Sequence, residues 1–114
     1  AATRLEKREA GEPTRSMSLG GSRAFIVGRN GQVADIVVEE ASLSRAHAAI
    51  INSSSATFVQ DLGSASGTFV DGVQIAANKA HALAEGAVIT LGECKTTYTY
   101  RLSAKAKGAI KRKR

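Results

Sequence analysis

Asp71-Gly72 stands between two β-leaning triplets, Thr68-Phe69-Val70 and Val73-Gln74-Ile75. A two-residue Asp-Gly loop in that setting signals a type I′ turn, whose backbone twist matches the twist of two paired strands. The same punctuation runs from Arg23 to Leu102, where short apolar runs are separated by glycines and by Asn30-Gly31. It predicts strands over 24–27, 36–38, 46–51, 57–61, 67–70, 73–75, 87–91 and 96–102. Short strands recurring about every ten residues, with no amphipathic helix between them, describe an all-β sandwich of two antiparallel sheets and exclude βαβ units. The Ala-rich stretch 76–84 reads as a connection into the last sheet, with room for a helical turn.

A chain of 114 residues has room for one such domain. Its aromatic residues are Phe25, Phe58, Phe69, Tyr98 and Tyr100, so the core must come mainly from Val, Ile, Leu and Ala. No run approaches 18 apolar residues, and the first 20 carry charges throughout without an apolar segment. These features exclude a membrane-spanning helix and a secretory signal peptide. The single cysteine, Cys94, cannot form an internal disulfide, which argues for a reducing, intracellular compartment. The chain opens on Ala rather than Met, as expected of a fragment or a processed product.

The formal net charge of +6 suggests nucleic acid until it is divided along the chain. Residues 16–100 hold five basic and seven acidic side chains, whereas 101–114 hold seven basic and no acidic ones. The prospective domain is therefore slightly acidic, and the basic surplus belongs to the tail. Three segments result: a flexible leader over 1–22, with at most a helical turn over 2–10; a sandwich over 23–103; and a low-complexity basic tail over 104–114.

Three loop segments carry the chemistry: Gly28-Arg29-Asn30, Ser42-Leu43-Ser44-Arg45-Ala46-His47, and Asp61-Leu62-Gly63-Ser64-Ala65-Ser66-Gly67-Thr68. Arginine offers a planar fork of donors matched to phosphate, serine adds a hydroxyl, and glycines let backbone amides approach an anion. Placing Arg29 and Arg45 at strand ends of an acidic domain points to a bound phosphate group.

The ordered set Gly28-Arg29, Ser44-Arg45-x-His47 and Asp61-Leu62-Gly63-Ser64-x-x-Gly67-Thr68, followed by the Asp71-Gly72 hairpin, resembles the forkhead-associated (FHA) domain. The ending Gly92-x-x-x-Thr96-x-Tyr98-x-Tyr100-Arg101-Leu102 is similar to the branch of the nuclear inhibitor of protein phosphatase 1. The resemblance implies a β-sandwich with binding loops at one end that reads phosphothreonine in partner proteins. It implies that Arg29 and Ser44 hold the phosphate and that Arg45 adds a second positive contact. Ser64, Ala65 and Ser66 would face the peptide, with Gly28, His47, Gly67 and Thr68 shaping the site. Where many members have Asn, this chain has Ser66. Where some carry a base that selects an acidic flank, it has Ser42.

The same residues speak against other chemistry. Ser44, His47 and Asp61 could be arranged as a nucleophile, base and orienter, but Gly63-x-Ala65-x-Gly67 places Ala where a nucleophile elbow needs Ser. No ligands stand at metal-binding spacing around His81 or Cys94, and Gly63–Gly67 is not a phosphate-binding P-loop. The expectation is a monomeric, non-enzymatic adaptor without metal or cofactor, in nuclear signalling or RNA processing, with threonine-phosphorylated partners. The competing reading is a nucleic-acid binder that contacts RNA or DNA through Lys105, Lys107, Lys111, Arg112, Lys113 and Arg114. The last four of these also suit a nuclear import address.

Overall fold

The computed structural model describes residues 3–20, 23–53 and 55–102. Among them every regular element is a strand: β1 (Thr3–Arg8), β2 (Arg15–Ser18), β3 (Arg23–Gly28), β4 (Ile36–Val37), β5 (Ala48–Asn52), β6 (Thr57–Asp61), β7 (Thr68–Val70), β8 (Val73–Gln74), β9 (Ala80–Ala82), β10 (Val88–Leu91) and β11 (Thr97–Leu102). They form two sheets, ordered β2-β1-β11-β10-β7-β8 and β4-β3-β5-β6-β9. All pairings are antiparallel except β3 with β4, so the expected antiparallel sandwich holds with one short parallel pair at an edge. Among the described residues no helix is long and apolar enough to cross a membrane.

Strand alternation builds the core. In β6, Thr57, Val59 and Asp61 point inward and the residues between them are half-buried. In β11, Tyr98 and Tyr100 do the same. Ile50, Val59, Ile89, Leu91, Tyr98 and Tyr100 meet between the sheets with Val27, Val38, Leu43 and Val70. The core is therefore largely aliphatic, with two tyrosines added. At the hairpin, Asp71 has φ 51° and Gly72 φ 83°, the pair of positive values that a type I′ turn requires.

The leader is where the structure departs from the sequence reading. Residues 3–8 and 15–18 are not a mobile or helical segment but two strands of the larger sheet, with β1 paired to β11 along its whole length, from Thr3 opposite Leu102 to Arg8 opposite Thr97. The physical reason lies on the inner face. Leu5 and Leu19 are each 1% exposed, and the buried Asn52 amide donates to the Leu19 carbonyl. Thr3 donates to Asn52 Oδ1, as does Thr57, whose hydroxyl meets Tyr100 Oη at 2.9 Å. On the outer face Arg101 pairs with Glu6 and Glu85, each at 3.2 Å. The stretch 76–84 contains β9, an exposed edge strand hydrogen-bonded to β6, rather than a helical turn. The basic tail at 104–114 lies outside the described residues.

Candidate functional site

Gly28 ends β3 under the β4–β5 loop, and a Cβ there would lie 2.0 Å from the Arg45 carbonyl oxygen. Only glycine permits that approach. The Arg29 amide then donates to the Ser44 carbonyl at 3.1 Å and the Asn30 amide to Arg45, so the two arginine-bearing segments run side by side. Arg29 Nε donates to the Leu43 carbonyl at 2.8 Å, which orients the guanidinium while leaving its terminal nitrogens unengaged. Both Arg29 and Arg45 are exposed, and neither pairs with a carboxylate among the described residues.

His47 is fully buried. Its Nδ1 accepts the Ser44 amide at 3.3 Å, so the ring proton resides on Nε2, which donates to the Gly67 carbonyl at 2.8 Å. The imidazole therefore ties the β4–β5 loop to the β6–β7 loop. Both ring nitrogens are committed to backbone, and Ser44 meets His47 through its amide rather than its hydroxyl. That geometry rules out a Ser44–His47 nucleophile and base. The Ser44 hydroxyl instead accepts the Ala65 amide at 3.3 Å.

Asp61, 3% exposed, organises the second loop. Its Oδ2 accepts the amides of Gly63 and Ser64 at 3.0 Å, and its Oδ1 accepts the hydroxyls of Ser64 and Thr68 at 2.5 and 2.7 Å. Burial alone would push this carboxyl up. The hydroxyls of Ser64 and Thr68 and the amides of Ser64 and Gly63 outweigh it and hold the group below the ordinary aspartate range. Gly67, at φ 87°, completes the turn, and its carbonyl also accepts the Gly92 amide at 2.8 Å.

The structure thus gathers Gly28, Arg29, Ser44, Arg45, His47, Ala65, Gly67 and Thr68 at one end of the sandwich. Two residues expected to face a ligand do not present their hydroxyls. Ser64 Oγ turns inward to Asp61 and accepts the Gly67 amide at 2.9 Å, and Ser66 Oγ is buried beside Gly92 without a hydrogen-bond partner. The sequence reading named Leu43 and Gly92 without giving either a role at the site, where the Leu43 carbonyl aims Arg29 and Gly92 braces Gly67. A glycine just past the strand predicted at 87–91 was the available signal for the second.

The sandwich thus presents unpaired arginine forks and a backbone-braced serine on loops at one end. The FHA domain family model matches residues 25–92, and the chain belongs to that family. The FHA domain of the CT664 protein from Chlamydia trachomatis is 30% identical, with a TM-score of 0.83 over 91% of this chain and 100% of that one. Mycobacterium tuberculosis EmbR, solved in complex with a low-affinity phosphopeptide, is also 30% identical, with a TM-score of 0.76 over 91% of this chain and 25% of that protein. A protein phosphatase 1 regulatory inhibitor subunit PPP1R8 homolog from Arabidopsis thaliana is 49% identical over 49 residues, which is 42% of this chain. The match spans 13% of that relative's length.

Proposed function

We propose that this chain is a phosphothreonine-dependent docking module in which Arg29, Ser44 and Arg45 hold the phosphate. The observation that carries the reading is Arg29, aimed by Leu43 through Nε with its remaining donors unpaired. A guanidinium oriented in advance loses little freedom on binding a dianion, and each charge-assisted hydrogen bond contributes about 1.5–3 kcal/mol. The Ser44 hydroxyl accepts one amide and keeps its own proton for a phosphate oxygen. The loop from Ser64 to Ser66 meets the peptide through its backbone, because both serine hydroxyls are turned in. The complex of EmbR with a phosphopeptide supports the ligand class. Similarity to a protein phosphatase 1 regulatory subunit supports a setting in phosphorylation-dependent regulation. A nuclear location forms part of the same reading, on the strength of the basic run 111–114.

The test is titration with a phosphothreonine peptide, its phosphoserine counterpart and the unmodified threonine peptide. Phosphothreonine should bind with a Kd in the low micromolar range, about −8 kcal/mol. Arg29→Ala should weaken it by about 30-fold or more, the equivalent of about 2 kcal/mol. Unchanged affinity in Arg29→Ala would show that the phosphate lies elsewhere.

A further inference from the structure

A furrow leaves the phosphate loops and runs along the open edge of the sandwich. It has three adjoining stretches of about 390, 580 and 430 Å³. The first and second share Ser42 and Glu93, and the second and third share Glu9, Glu40, Cys94 and Thr96, so the stretches lie side by side. It begins at the candidate site. Ser42 lies two residues before Ser44, and Ser66, also on its wall, follows Ala65, whose amide meets the Ser44 hydroxyl.

The charge of this furrow is opposite to that of the loops. Its walls carry Glu9, Glu39, Glu40 and Glu93 against Lys7 and Lys95, and Lys7 is already paired with Glu9 at 3.4 Å. Glu39, Glu40 and Glu93 are exposed and have no cationic partner among the described residues. The Glu40 carboxylate accepts the Ser42 hydroxyl, at 3.2 Å.

We propose that this furrow selects phosphothreonine segments carrying lysine or arginine on the flank that crosses Ser42, with Glu40 and Glu93 as the specificity-determining residues. The inference rests on the phosphothreonine reading and adds to it the class of sequence recognised. The arrangement is bipolar, with arginines for the phosphate and carboxylates for the flank. Ser42 contributes no cation that would favour an acidic flank instead.

The experiment uses phosphothreonine peptides bearing three lysines or three glutamates, placed either before or after the phosphothreonine, each with its unphosphorylated control. On one flank the wild-type chain should favour lysine over glutamate by about 10-fold, since each exposed pair is weak and the glutamates add repulsion. The preference should shrink in high salt. Glu40→Gln with Glu93→Gln keeps both shapes and should reduce it to about 3-fold or less while phosphate dependence persists. Phosphate-dependent binding without charge preference on either flank, or a preference that survives the double substitution, overturns the proposal alone. Equal binding of phosphorylated and unphosphorylated peptides overturns the phosphothreonine reading and this inference with it.

Discussion

Replacing His47 with Ala tests whether one buried ring joins the two recognition loops. The side chain is fully buried and makes two hydrogen bonds to backbone, one from the Ser44 amide and one to the Gly67 carbonyl. Its loss would not affect the two backbone groups equally. Gly67 keeps a second donor, the Gly92 amide, whereas the Ser44 amide would be left without its partner. An orphaned buried donor costs about 1–3 kcal/mol, and a cavity the size of an aromatic ring brings the total to about 3–5 kcal/mol. For a domain of this size that lowers Tm by about 12 °C or more. Calorimetry and urea titration would measure it, with His81→Ala as the internal comparison. His81 lies exposed on edge strand β9, so the same change there should stay within about 0.5 kcal/mol. If His47→Ala cost less than about 1 kcal/mol, or no more than His81→Ala, the assignment of His47 as the tie between the loops would be refuted.

Removing residues 1–22 should destabilise the domain by about 3–6 kcal/mol, because Leu5 and Leu19 leave the core and β11 loses its neighbour; an unchanged urea midpoint would sink this account of the leader. The two core tyrosines should respond in opposite ways: Tyr100→Phe removes a hydroxyl bonded to Thr57 and should cost about 1 kcal/mol, whereas Tyr98→Phe removes an unpaired one and should be neutral or stabilising. The Tyr98 hydroxyl is also pushed up by its burial, first of all, and by nearby Cys94 and Glu9, so alkaline titration should find it protonated well past the usual tyrosine range. Asp61→Asn should cost about 2–4 kcal/mol at pH 7, since an amide nitrogen would face two of the four donors. Because the folded carboxyl sits below its unfolded value of about 3.9, its contribution is present above that pH and is lost as pH falls through the lower folded value. The gap between wild type and Asp61→Asn should therefore narrow below about pH 4, and a gap constant down to the acid limit would contradict it.

The eight strands legible in the sequence all occur in the structure, and the reason is local. Some have inward alternation, as in Tyr98 and Tyr100, or a turn that only one geometry satisfies, as at Asp71-Gly72, and others, such as β3 and β5, stand out as short apolar runs. The three strands that were not legible carry weaker local signals. β1 buries Thr3 and Leu5 and otherwise carries charges, which read as solvated until Arg101 and Glu85 are brought alongside Glu6 by pairing with the far end of the chain. β2 is largely exposed, and the Leu19 that anchors it lies just beyond the strand. β9 buries nothing and exists because β6 offers it an edge. The site was legible for a related reason. Gly28, His47 and Asp61 must be those residue types because backbone carbonyls and amides crowd around them, whereas the inward turn of the Ser64 and Ser66 hydroxyls depends on neighbours that no local pattern specifies.

The acidic surplus between residues 16 and 100 acquires a meaning once each carboxylate is assigned its work. Asp35 accepts the Ile26 amide, Asp61 organises the β6–β7 loop, Asp71 accepts the Val88 amide, and Glu85 holds Arg101 and the Leu102 amide. The other three acids in that span are Glu39, Glu40 and Glu93, and all three line the furrow beside the arginine loops. Stability does not need them there, since exposed charges without partners contribute little and repel one another. Their gathering along one furrow that reaches Ser42 and Ser66, on the two loops that carry the candidate phosphate site, is the arrangement expected if a cationic flank is recognised beside the phosphate, and it is the observation on which the proposed flank preference rests.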